Sequence, residues 1–128
     1  MSKKISVLVI GCGNMGASHA TAYHNHPGFK ICGLVSRGKS KDDLNDSLKS
    51  NYQLFTDYKD AIINTKPDAV CISTYPDTHK EISLFALENN CHIFLEKPIA
   101  ADLKGSREII NKAEELGKKL VVGYILRH

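Results

Sequence analysis

The run VLVI at residues 7–10 passes directly into GCGNMG at residues 11–16, then into a helical pattern that stops at Pro27-Gly28. Continuous apolar residues that end in glycine fit a strand buried on both faces. Glycines spaced G-x-G-x-x-G between a strand and a helix constrain the chain strongly, because each has its own steric task. Gly11 permits the tight turn, Gly13 lets a pyrophosphate approach the backbone, and Gly16 lets the helix pack closely on the strand. The first N–H groups of the helix and its positive end face the same point. Gly11, Gly13, Asn14, Met15 and Gly16 are therefore candidate cofactor-binding residues. The competing explanation is a plain strand-to-helix turn.

The rest of the chain repeats the alternation. Apolar, β-rich runs predict strands over 5–10, 30–35, 69–73, 92–95 and 120–124, with a weaker one at 53–55. Helical patterns lie between them at 14–26, 41–49, 58–64, 78–89 and 102–116. The helix at 78 is expected to open on a capping box, Thr78-x-x-Glu81, and the last helix to close on Gly117. Alternating strands and helices with short connections specify an α/β fold: a Rossmann-type doubly wound parallel sheet in a three-layer α/β/α arrangement. Residues 1–123 are assigned to this domain, and 124–128 to the start of a crossover into a further domain.

Composition narrows the function classes. A net charge of +3, with no Lys/Arg run longer than a pair, is too sparse for a nucleic-acid-binding stripe. No apolar run approaches the roughly 18–20 residues of a membrane span. The N-terminal MSKKISVLVIG superficially resembles a signal sequence, but its apolar part is short and lacks a small-residue cleavage site. The four cysteines, Cys12, Cys32, Cys71 and Cys91, form no CxxC pair and read as reduced thiols of a cytoplasmic protein. Of the histidines on the first helix, His19, His24 and His26 do not stack on one face and are expected at the surface.

The stretch LVSRGKS, residues 34–40, bears on which dinucleotide is bound. Ser36 lies about twenty residues after Gly16, where an acidic side chain usually grips the adenosine ribose hydroxyl. A carboxylate there would repel a 2′-phosphate. Ser36 removes the repulsion and can donate a hydrogen bond to the phosphate, Arg37 offers a planar charged fork, and Lys39 adds a second cation. The expectation is NADP in preference to NAD. The alternative is that Arg37 and Lys39 only solvate a loop whose pocket accepts either cofactor.

Two further clusters, STYPDTHKEI at 73–82 and FLEKPIA at 94–100, fall at carboxyl ends of predicted strands, where open α/β sheets place ligands. With GCGNMG, T-x-x-x-x-H and EKP in this order, the chain resembles the N-terminal domain of the Gfo/Idh/MocA oxidoreductases, from Ile5 to the terminal GYILRH. That family includes glucose–fructose oxidoreductase and inositol dehydrogenase. The resemblance implies an NAD(P)-dependent enzyme acting on a sugar, cyclitol or related polyol. It places Ser73, Thr74 and His79 along the nicotinamide half of the cofactor, and Glu96 and Lys97 beside the ring. It also suggests a cis Lys97–Pro98 bond. Tyr75 stands where the family usually has proline, which here comes one place later at Pro76, so Tyr75 is expected to replace the proline's packing against the cofactor, with no specific contact assigned to it.

Lys97 is the candidate catalytic residue: its ammonium can stabilise charge on a substrate oxygen during hydride transfer, and its neutral form can share the proton. A solvated turn lysine is the plain alternative. The resemblance further implies a second α+β domain carrying the substrate pocket, the oligomer interface and an Asp/His acid–base pair, with Arg127 near cofactor or substrate. The chain is thus expected to bind a dinucleotide without completing turnover, and alone to be monomeric. A non-catalytic, redox-sensing dinucleotide module is the alternative function, though a sensor has no need of a lysine at the nicotinamide.

Overall fold

The computed structural model describes residues 4–123. Six strands form one parallel sheet: β1 (Ile5–Ile10), β2 (Phe29–Val35), β3 (Leu54–Phe55), β4 (Ala69–Ile72), β5 (His92–Leu95) and β6 (Leu120–Val122). Their spatial order is β3-β2-β1-β4-β5-β6, the doubly wound order in which the strand order reverses between β1 and β4. The connecting helices are α1 (Asn14–Asn25), α2 (Ser40–Ser47), α3 (Tyr58–Thr65), α4 (Pro76–Glu88) and α5 (Leu103–Leu116).

The period of two along β1 explains its unbroken apolar run. Val7 and Val9 pack on one face with Ala20 and Tyr23 of α1, while Leu8 and Ile10 join Ile82, Ala86 and Ile109 of α4 and α5 on the other. Both faces are covered, so every position needs an apolar side chain. On α5 the buried residues are Gly105, Ile109 and Ala113, one stripe at a spacing of four. Its ends match local chemistry: Asp102 Oδ1 accepts from the Gly105 N–H at 2.7 Å, and Gly117 closes the helix at φ 67°.

The expected capping box at Thr78 is not formed. Helix α4 begins two residues earlier, at Pro76, whose ring presets the first helical residue. The Thr78 hydroxyl instead donates to the Tyr75 carbonyl at 2.7 Å, and Glu81 accepts from the Tyr58 hydroxyl at 3.0 Å. The strand expected to reach Tyr124 ends at Val122. The crossover assigned to 124–128, with Tyr124 and Arg127, lies outside the described residues. No helix among the described residues is long and apolar enough to cross a membrane.

Candidate dinucleotide site

The reversal point between β1 and β4 is held by backbone contacts. The Gly11 N–H donates to the Val35 carbonyl and the Ser73 N–H to the Ile10 carbonyl, both at 2.9 Å. The ends of β1, β2 and β4 are thereby drawn into one edge. Gly11 sits at φ +94°, and a Cβ there would lie 2.6 Å from the Ser73 carbonyl oxygen. A Cβ on Gly16 would come within 1.8 Å of the Gly11 carbonyl oxygen, so both positions exclude any larger residue.

Gly13 differs: nothing lies within 4 Å of its hypothetical Cβ. This open space stands over the start of α1, which has no side-chain cap. The N–H groups of the first turn have no intrahelical partners and converge on the opening with the positive end of the helix. Gly13, Asn14 and Met15 are exposed along this rim. A phosphate fits where a Cβ at Gly13 would otherwise intrude.

Cys12, between the first two glycines, is buried and directs Sγ at the Val35 carbonyl, 3.5 Å away. Burial pushes its thiol up to about 11, and the same cause raises Cys71 under the site to about 12. Both are core thiols in the protonated form, not nucleophiles.

At the end of β2, Arg37 and Lys39 are exposed, while Ser36 is half-buried. Its hydroxyl donates to the Gly38 carbonyl at 3.0 Å and accepts from the Lys41 N–H at 3.1 Å. Ser36 therefore shapes the turn into α2, and its proton is engaged within the loop. Lys41 also reaches the Gly38 carbonyl, through Nζ at 2.7 Å.

The other half of the site lies beyond β4 and β5. Thr74 touches the glycine loop, its Cγ2 3.2 Å from a Cβ built on Gly11, and its hydroxyl lies 2.6 Å from that of Thr78. Tyr75 is 81% exposed at the start of α4. The Lys97–Pro98 peptide bond is cis. The Lys97 side chain is exposed, and its stem runs past Gly123, Cδ lying 3.7 Å from a Cβ built there.

Two histidines depart from the sequence reading. His19 is no surface residue: it is 2% exposed, and its Nε2 lies 2.8 Å from Glu96 Oε1. The signal was present in the spacing, since Gly16, His19, Ala20 and Tyr23 form one buried face of α1. A histidine three residues after a glycine that must touch the sheet is carried inward with it. His24 instead meets the Tyr52 hydroxyl at 2.6 Å, and His26 Nδ1 accepts from the Gly28 N–H at 2.9 Å. His79 is 0% exposed, with Nδ1 2.9 Å from the Pro98 carbonyl and Nε2 3.0 Å from the Thr74 carbonyl. Both ring nitrogens face backbone, not the rim where a cofactor would lie.

A doubly wound sheet with an uncapped glycine loop at its reversal point defines a dinucleotide-binding domain. Residues 5–124 match the oxidoreductase family with an NAD-binding Rossmann fold, and the chain belongs to that family. It is 31% identical over 129 residues to an inositol 2-dehydrogenase of Rubrobacter xylanophilus, covering 99% of this chain and 37% of that protein. It is 28% identical over 128 residues to the D-glucoside 3-dehydrogenase of Escherichia coli, covering 99% of this chain and 36% of that protein. Among solved structures, the scyllo-inositol dehydrogenase of Lactobacillus casei with bound NAD(H) and scyllo-inositol superimposes with a TM-score of 0.86. Its identity is 25%, over 94% of this chain and 36% of that one. The chain thus spans a little over a third of the length of these relatives.

Proposed function

We propose that this chain is the NADP(H)-binding domain of an oxidoreductase that transfers a hydride between the nicotinamide and a sugar, cyclitol or related polyol. The observation that carries the reading is the placement of Lys97, exposed at the end of β5 on the same sheet edge as the open glycine loop. Inositol and glucoside dehydrogenases among the relatives support the substrate class.

The fit of the cofactor rests on the open space at Gly13 and the uncapped first turn of α1. A bound dinucleotide supplies the hydride acceptor or donor. Gly13, Asn14, Met15 and Gly16 cradle the pyrophosphate through backbone N–H groups, while Gly11, whose N–H is held by the Val35 carbonyl, shapes the turn beneath it. Ser73, Thr74, Tyr75 and Glu96 border the nicotinamide half. Lys97 directs Nζ at the substrate oxygen: as an ammonium it stabilises negative charge there, and as an amine it receives the hydroxyl proton.

The preference for NADP rests on the lack of a carboxylate at position 36 and the two exposed cations beside it. Because the Ser36 hydroxyl is engaged in its own loop, Arg37 and Lys39 carry recognition of the 2′-phosphate, and Ser36 contributes only its neutrality. NAD, named with the Lactobacillus casei neighbour, is the alternative occupant of the same pocket. Four free thiols accord with a cytoplasmic setting. The relatives' greater length supports a further domain that supplies the substrate pocket and oligomer contacts.

Fluorescence titration of the chain with NADPH and NADH tests the cofactor reading. Tighter binding of NADPH is expected. Equal affinities would remove the NADP preference, and no binding of either at high micromolar concentration would overturn the dinucleotide reading itself.

A further inference from the structure

His19 and His79 are the only fully buried titratable side chains that are not cysteine or tyrosine among the described residues, and both bond to the same tripeptide. His19 Nε2 meets the carboxylate of Glu96 at 2.8 Å, and His79 Nδ1 meets the carbonyl of Pro98 at 2.9 Å. Lys97 lies between these two anchors with an exposed side chain. We propose that His19 and His79 are positioning residues that clamp the Glu96-Lys97-Pro98 turn and so hold Lys97 at the nicotinamide site. The proposal rests on the reading of that site given above.

The two anchors come from different elements. His19 belongs to α1, the helix whose first turn faces the phosphate opening, so its bond to Glu96 joins the phosphate half of the site to the lysine turn. A carboxylate only accepts, so Nε2 carries the proton; Nδ1 is left buried without a hydrogen-bond partner. His79 belongs to α4 and spans two loops, its ring nitrogens facing the Thr74 and Pro98 carbonyls. A neutral imidazole donates to one of these carbonyls at a time. Both contacts have ordinary hydrogen-bond lengths.

Amide substitutions separate the contacts, since asparagine places its nitrogen near the position of Nδ1 and glutamine near that of Nε2. The chain is reductively methylated with 13C-formaldehyde, the Lys97 signal is assigned through Lys97→Arg, and its shift on adding NADPH is recorded. His19→Gln and His79→Asn keep the bonds to the tripeptide and are expected to retain the wild-type response. His19→Asn and His79→Gln drop them and are expected to lose at least half of it, while the glycine-loop amides still respond to NADPH. Equal behaviour within each amide pair would overturn the proposal and leave the functional reading standing. A Lys97 signal that ignores NADPH in the unmutated chain would overturn both.

Discussion

A Cβ on Gly16 would stand 1.8 Å from the carbonyl oxygen of Gly11, so the glycine loop closes only when the helix presents no side chain there. Gly13, three residues earlier, meets nothing within 4 Å and has φ −72°, which any L-residue adopts. The two glycines therefore predict opposite phenotypes. Gly16→Ala prevents the loop from closing and lowers stability by several kcal/mol, on the order of a severe overpacking change. Gly13→Ala leaves the melting temperature nearly unchanged but fills the phosphate space and weakens NADPH binding. Thermal melts and fluorescence titrations of both variants check this; a destabilised Gly13→Ala would contradict the open space.

At the end of β2, charge substitutions test the proposed NADP preference. Ser36→Asp retains an acceptor for the Lys41 N–H but places a carboxylate where a 2′-phosphate would lie. NADPH affinity is expected to fall on the order of tenfold, the effect of one partly screened charge, with NADH affinity held or improved. Arg37→Ala is expected to lower NADPH affinity more than NADH affinity. Loss of both affinities in equal measure would assign Arg37 to the shape of the loop.

Burial raises the thiols of Cys12 and Cys91 to about 11 and that of Cys71 to about 12, from an ordinary value of 9.0. The unfolded thiols release protons first as pH rises, so the unfolded state binds fewer protons than the native one. The contribution of these thiols to stability is accordingly full below about pH 9 and declines from there toward pH 12. Urea titrations across this range should show that slope, reduced in Cys71→Ala. At pH 8 the native chain should react slowly with Ellman's reagent, and all four thiols promptly once unfolded.

Lys97→Met tests the chemistry. In the longer protein of this reading, kcat should fall about 10²–10⁴-fold, the usual contribution of a positioned acid–base group. NADPH binding by the chain itself should persist, since the phosphate cradle is backbone. Full turnover in Lys97→Met would remove the lysine from the mechanism.

The motifs of the candidate site were legible along the chain because their requirements are local. GCGNMG lies between a strand and a helix, and EKP ends a strand. Neither needs a distant neighbour to be recognised. The misreadings at Thr78 and Ser36 are local in another way. A proline at position 76 starts α4 before the capping box, and the Ser36 hydroxyl is satisfied within its own turn. Side-chain hydroxyls compete for nearby backbone partners, and spacing alone does not reveal which partner wins.

The sequence by itself determined the alternating parallel sheet, the dinucleotide loop and the positions of Lys97 and Arg37. Unbroken apolar runs and glycine sterics act over a few residues and tolerate few other folds. Only the tertiary structure decided that His19 reaches Glu96, 77 residues away, and that His79 turns both nitrogens onto backbone carbonyls. A buried imidazole needs a partner, and which partner it finds depends on how α1, α4 and the ends of β4 and β5 pack together.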